Sequence, residues 1–195
     1  MTDVAEHTAT HAWHDEAWAQ ERAARAQAGD AAAFGDLARH YGRRIYTHLF
    51  RLVGHREEAE DLTQEAFIRA FRFLGRYDAK RSFRNWLYTV ATNVGLNALR
   101  SQRRRGQPVS LDTAPGPIAL DERDTAARRE QAARVKDAVQ QLPPRMMQLV
   151  DLHYREGFSI REAAEVVGMS EGAAKVALHR ARKQLREWLV EEQGQ

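Results

Sequence analysis

The chain has no cysteine among its 195 residues. That excludes a disulfide framework, a zinc site built on thiolates and any thiol-based sensing within this polypeptide. Long apolar runs are missing as well; no stretch approaches the roughly 20 residues that a membrane-spanning helix needs. The N-terminus, MTDVAEHTATHAWHDE, is polar and acidic, unlike a secretory signal. A cytoplasmic protein without membrane contact is therefore expected. Alternation of apolar and polar residues is absent, so strands are not expected. Nor is there a glycine-rich phosphate loop, an HExxH pair or a GxSxG turn. Asp61, Glu65 and His153 make no recognisable catalytic set, so neither an enzyme nor a cofactor is expected.

What is present is helical. A hydrophobic share of 43% and a charged share of 29% fit a globular chain, long enough for one large or two small cores. The stretch GQPVSLDTAPGPIALDERD, residues 106–124, carries Gly106, Pro108, Pro115, Gly116 and Pro117, and neither helix nor strand persists through such a run. The expected fold class is all-α, with two helical domains joined by a flexible linker. An Ala-, His- and Glu-rich extension covers residues 1–28 and is helical in part. The first domain covers 29–105, the linker 106–124 and the second domain 125–195. In the extension, His7, His11 and His14 fall at i, i+4 and i+7 and could meet a metal. Scattered surface histidines are the preferred reading, and no metal is expected.

The net charge of +3 says little, but its distribution says more. From Ala79 to Arg105 there are seven Lys or Arg and no acid, a basic block. Within SFRNWLYTVATNVGLNALRSQRRR, residues 82–105, Phe83, Leu87, Val90, Val94 and Ala98 form a buried-looking stripe. Trp86, Thr89, Asn93 and Arg100 share the opposite face, which runs on into Arg103, Arg104 and Arg105. Upstream, AEDLTQEAFIRAFRFLGRYD predicts an amphipathic helix with Phe67, Ala70, Phe71 and Leu74 inward. Asp61, Gln64, Glu65, Ile68 and Arg72 lie on another face. Acids and an amide around an isoleucine suit a basic partner helix, although a merely solvated face would carry the same pattern.

The C-terminal block is the most legible. Leu142-Pro143-Pro144 breaks one helix and begins the next. Ser159 and Glu162 match a capping box, Gly168-Met169-Ser170 a tight turn, and Ser170 can cap a longer helix from Glu171. Two helices around a glycine-containing turn make a helix-turn-helix candidate, with Ala163, Ala164, Val167, Ala174 and Leu178 between them. Lys175, His179, Arg180, Arg182 and Lys183 then face outward, suited to phosphates and base edges in a major groove. An amphipathic hairpin with a solvated basic face is the plain alternative.

Taken together, the segments resemble a group 4, extracytoplasmic-function sigma factor of bacterial RNA polymerase. AEDLTQEAF resembles the region 2.2 signature, SFRNWLYTVATN regions 2.3 and 2.4, and the stretch from Leu142 to Leu185 region 4. The resemblance implies a transcription-initiation subunit that binds core polymerase through the β′ clamp helices and the β flap. It also implies promoter DNA and an anti-sigma factor as partners. Asp61, Leu62, Gln64, Glu65 and Ile68 match the core-docking positions. Tyr77, Arg81, Ser82, Arg84, Trp86, Asn93 and Arg100 match positions at the −10 element, with the loop from Tyr77 to Ser82 cradling a flipped base. Arg161, Ser170, Glu171, Lys175, His179, Arg180 and Lys183 match positions at the −35 element. Asp121, Glu122 and Asp124 resemble the acidic tether that passes near the polymerase active-site cleft. Thr92 stands where arginine is common, which removes one phosphate contact, and Val176 and Ala177 stand where serine and arginine are common.

The implied chemistry explains the odd face of residues 82–105. Opening a duplex costs about 1.4 kcal/mol per base-pair step. Stacking a freed base on an aromatic face returns about 1–3 kcal/mol. An amide can satisfy the edge of an extruded base, and guanidinium groups hold the backbone. A conventional helix-turn-helix regulator of duplex operator DNA would account for residues 142–189 but not for Trp86 and Asn93.

Overall fold

The computed structural model describes residues 16–104, 134–135, 138–139 and 141–191. Asp30 ends one helix and starts the next. The first, α1, covers residues 16–27 and closes through Gly29 at φ 101°. The Asp30 carboxylate then accepts from the Ala33 amide at 3.1 Å, capping α2 (Ala31–Val53), while Arg25 holds its other oxygen at 2.6 Å. Gly54, in the left-handed region at φ 78°, ends α2. Next come α3 (Arg56–Phe73), a 3₁₀ turn over Leu74–Arg76, and α4 (Phe83–Arg104).

These four helices share one core. Leu37, Tyr41, Ile45 and Leu49 recur every fourth residue on α2 and are fully buried or nearly so, as are Phe83, Leu87 and Ala91 on α4. The fully buried residues of α3 are alanines, Ala59, Ala66 and Ala70, with Leu62 and Phe67 partly buried beside them. Gly95 lets α4 approach α2 most closely; a Cβ there would stand 2.5 Å from Leu52 and 2.9 Å from Leu49. Two expectations change. Ala19, Ala23 and Ala26 of α1 are buried in this core, so the described part of the extension belongs to the packed unit, which is not confined to residues from 29 on. Phe71 is 52% exposed, not inward, and meets Phe34 edge-on at 5.0 Å, while Phe67, one turn earlier, packs against the core.

The second domain comprises α5 (Pro144–Tyr154), α6 (Ile160–Val167) and α7 (Glu171–Glu191). Proline opens α5, both bonds of the Ser159/Glu162 capping box are formed, and Gly168 closes α6 at φ 69°. The Ser170 hydroxyl accepts from the Ala173 amide at 3.2 Å and starts α7. Ala163, Ala164, Val167, Ala174 and Leu178 are buried between the helices, as the helix-turn-helix pattern predicts. Among the described residues there is no strand, and no helix is long and apolar enough to cross a membrane. The two domains touch, α4 against α6 and α2 with α4 against α5. The tether with Asp121, Glu122 and Asp124, the histidines at 7, 11 and 14, and Arg105 lie outside the described residues.

Candidate functional site

Three surfaces carry the residues singled out by sequence. On α3, Asp61, Gln64 and Ile68 are exposed, with Ile68 at 47%. Leu62 is half-buried against the core, and Glu65 accepts from Arg69 Nε at 2.5 Å. Ile68 and Phe71 are exposed one turn apart on this helix, and Phe73, also exposed, lies on another side with the Arg76 guanidinium over its ring.

The second surface spans the loop after the 3₁₀ turn and the outer side of α4. Asn93 and Arg100 are exposed, and Arg100 donates to Asn97 at 3.0 Å. Trp86 is half-buried. Its ring packs with Tyr77 at 5.3 Å and Phe83 at 5.6 Å, while Tyr77 and Phe83 meet edge-on at 5.4 Å. Tyr77 is only 4% exposed, so it supports this cluster rather than presenting itself to a ligand. Burial, with Glu16 and Asp78 nearby, pushes its phenol up to about 12. Its hydroxyl donates to the Arg81 carbonyl at 2.7 Å. Ser82 caps α4, its hydroxyl accepting from the Asn85 amide at 3.1 Å.

Arg81 and Arg84, expected on this surface, are engaged by the second domain. Arg81 pairs with Glu165 at 3.3 Å. The Arg84 guanidinium lies 3.9 Å over the Phe158 ring and donates to the Glu156 carbonyl. Around them a polar joint links the domains. Arg51 donates to Asp151 at 2.8 Å and to Glu156 at 3.2 Å. The Tyr88 hydroxyl donates to Glu156 at 2.7 Å, and Asn85 to Glu162 at 3.3 Å. His48, fully buried, stands 3.2 Å from Asp151 and 2.9 Å from the Thr92 hydroxyl. Burial, reinforced by Glu156, raises the Tyr88 phenol well above its ordinary value, so it stays a donor. Burial alone would raise the Glu162 carboxyl, but hydrogen bonds from Ser159 and Asn85, with Arg84 close by, hold it below the usual range.

Sequence reasoning missed this joint, because its partners lie 103 residues apart for His48 and Asp151. One signal was available: His48 interrupts the apolar stripe of α2 and so required a buried partner. The joint also accounts for Thr92, which is fully buried beneath His48 and occupies no phosphate-facing position.

The third surface is α7. Lys175, His179, Arg180, Arg182 and Lys183 are all exposed on it, along with Ser170 and Glu171 at its start and Arg161 on α6. Lys175 pairs with Glu171 at 2.7 Å, and Lys183 with Glu187 at 3.8 Å. Val176 is 51% exposed among them, whereas Ala177 is buried and takes nothing from the polar face.

Comparison with known proteins agrees with this layout. Residues 37–105 match the family model for sigma-70 region 2, and residues 132–185 that for sigma-70 region 4. CarQ of Myxococcus xanthus, an RNA polymerase sigma factor, is 39% identical over 82% of this chain and 90% of its own length. The extracytoplasmic-function sigma factor SigW of Bacillus subtilis is 30% identical over 87% of this chain and 96% of its own. BldN of Streptomyces coelicolor, of the same kind, is 35% identical over 86% of this chain, which spans only 64% of BldN. Among solved structures, CnrH in complex with the cytosolic domain of CnrY superposes with a TM-score of 0.65 at 27% identity, covering 88% of this chain and 97% of CnrH. The chain belongs to the extracytoplasmic-function group of the sigma-70 family.

Proposed function

We propose that the chain is an alternative sigma factor, which docks on core RNA polymerase and directs initiation through −10 and −35 elements without catalysing a reaction itself. The observation that carries this is the outer side of α4. Asn93 and Arg100 stand open to solvent on the helix whose first turns carry the half-buried Trp86 and whose other side is taken by the core and the second domain. That combination suits freed bases and their backbone. The α3 face of Asp61, Leu62, Gln64, Glu65 and Ile68 serves as the dock for the β′ clamp helices. Lys175, His179, Arg180 and Lys183 of α7, with Arg161, Ser170 and Glu171, enter the major groove at the −35 element. The second domain also meets the β flap.

In this reading residues 29–105, completed by α1, form the docking and melting unit. Residues 106–124 are the tether, and residues 125–195 read the −35 element. Arg81 and Arg84 reach DNA only after Glu165, Glu156 and Phe158 release them, so docking parts the two domains. An anti-sigma factor is a further partner; the related CnrH was solved bound to a cytosolic segment of CnrY. The site of action is the cytoplasm.

The test is binding of the labelled chain to core RNA polymerase, wild type against Asp61→Ala/Gln64→Ala. Tight binding by wild type and its loss in the double variant is the expected result. Absence of wild-type binding, together with tight salt-sensitive binding to duplex DNA alone, would transfer the case to an operator-binding regulator.

A further inference from the structure

An α-helix begins with amides that no carbonyl of its own can satisfy. At the start of α4 these groups are met partly from outside. Glu16 of α1 accepts from the Phe83 amide at 2.6 Å through one oxygen and from the Ser82 hydroxyl at 2.9 Å through the other. Ser82 is thereby oriented to accept from the Asn85 amide. The first turn of α4 contains no acidic residue, so the carboxylate that suits the positive end of its dipole comes from a different helix, 66 residues earlier than Ser82.

The same helix also holds the loop that precedes α4. Gln20 donates to the Arg81 carbonyl at 3.3 Å, and Gln27 donates to the carbonyls of Leu74 and Tyr77, both at 2.8 Å. The backbone from Leu74 to Phe83 is therefore tied to α1 at its beginning, middle and end. Because Phe83, Tyr77 and Trp86 pack as one aromatic cluster, whatever fixes the start of α4 also fixes the Trp86 ring. None of these ties involves the α3 face or α7.

We propose that α1 positions the base-capturing loop, with Glu16 as the positioning residue that sets affinity and selectivity for a single-stranded base at the −10 element. The inference rests on the sigma-factor reading above. A loop held in place before binding loses little freedom when the base enters, and a pocket of fixed shape rejects a base that does not fit. Removing the tie leaves the phosphate-holding arginines in place, so backbone attraction persists while discrimination falls.

The experiment uses holoenzyme reconstituted from core polymerase and the full chain, carrying wild type, Glu16→Ala, Glu16→Gln or Gln27→Ala. Each is challenged with single-stranded oligonucleotides bearing a randomised window, and core affinity is measured in parallel. Wild type enriches a short element. Glu16→Ala binds that element roughly five- to tenfold more weakly, the scale of a lost helix cap, and enriches a more degenerate set. Glu16→Gln retains an acceptor for the Phe83 amide and recovers most of the affinity; Gln27→Ala, which leaves the cap intact, loses selectivity at the flipped base alone. Core affinity is unchanged throughout. Wild-type behaviour in Glu16→Ala would overturn the proposal, and so would joint loss of core and DNA binding, which marks a purely structural role. If wild type docks on core but enriches no element, the −10 reading itself fails and the positioning role falls with it.

Discussion

Two interfaces in this chain are built on opposite principles. Between α2 and α4 the contact is tight and mainly apolar: Leu49 and Leu52 press into the space left by Gly95, Ile45, Leu87 and Ala91 are fully buried, and one buried polar pair, His48 with Thr92, crosses it. Between the domains charges and hydrogen bonds surround a single aromatic contact: Arg51 to Asp151 and Glu156, Tyr88 to Glu156, Asn85 to Glu162 and Arg81 to Glu165, with the Phe158 ring packed on Tyr88 at 5.0 Å. An apolar contact of fixed shape has no substitute in water. A polar contact does, since water or another charged surface can replace each partner at little net cost. The first interface therefore defines a rigid body, and the second a joint that can open without either body unfolding. If the two halves address separate DNA elements as proposed, that division places breakable contacts where movement is needed.

The sharpest way to break the comparison is to damage each interface once. Leu49→Ala removes a fully buried side chain opposite Gly95 and should cost about 2–5 kcal/mol, as large-to-small core changes do. Thermal unfolding followed by circular dichroism should show the first domain melting earlier, with core binding lost in proportion to the unfolded fraction. Asp151→Ala leaves Arg51 and the buried His48 without their shared carboxylate, a loss on the order of 1–3 kcal/mol. Here the effect should appear as separation rather than unfolding. Small-angle scattering should report a larger radius of gyration, while the melting of the first domain stays where it was. If Asp151→Ala instead melts the first domain as Leu49→Ala does, the joint is part of the rigid body and the distinction collapses.

What could be read from sequence follows the same division between local and distant. The Ser159/Glu162 box, the Gly168 turn and the Ser170 cap each close within three or four residues, so their chemistry is written in adjacent letters. The stripes of α2 and α4 are equally local, because burial every fourth residue follows from helix geometry. Phe71 was misjudged because Leu62, Phe67 and the alanines already fill the core-facing stripe of α3, which hydrophobicity alone could not apportion. Thr92 and Ala177 looked like gaps in DNA-facing surfaces, yet both point inward. Glu16, His48 and Asp151 acquire their roles only from partners tens of residues away, and no spacing rule reaches them. The exposed α3 and α7 residues matched their expected positions because amphipathic patterning reports exposure directly, whereas it says nothing about which exposed arginine a second domain will claim.

The smallest predicted effect sharpens the contrast through pH. Glu162 takes part in both the α6 cap and the joint, bonding Ser159 on its own domain and accepting from Asn85 on the other. Its carboxyl is held below the ordinary 4.5 in the fold; release of the other domain removes the Asn85 and Arg84 contributions and raises it part of the way, and unfolding, which also breaks the Ser159 bonds, raises it the rest. Between the closed and released values the released chain binds a proton that the closed chain does not. Stability from this group is thus complete above 4.5 and is lost as the pH falls through the lower, folded value. Asp30 is depressed too, by Arg25 and the Ala33 amide, so acid also frays the start of α2. The readout must therefore be local to the joint, such as energy transfer between dyes on α3 and α7. Wild type should open progressively as the pH drops below 4.5, whereas Glu162→Gln, which cannot titrate, should show a weaker dependence over that window. The Leu49, Leu52 and Gly95 contact carries no carboxylate, so the exchange protection factor of the Leu49 amide, corrected for the intrinsic pH dependence of exchange, should stay flat while the joint loosens. Equal acid sensitivity at both places would mean that the two interfaces open as one.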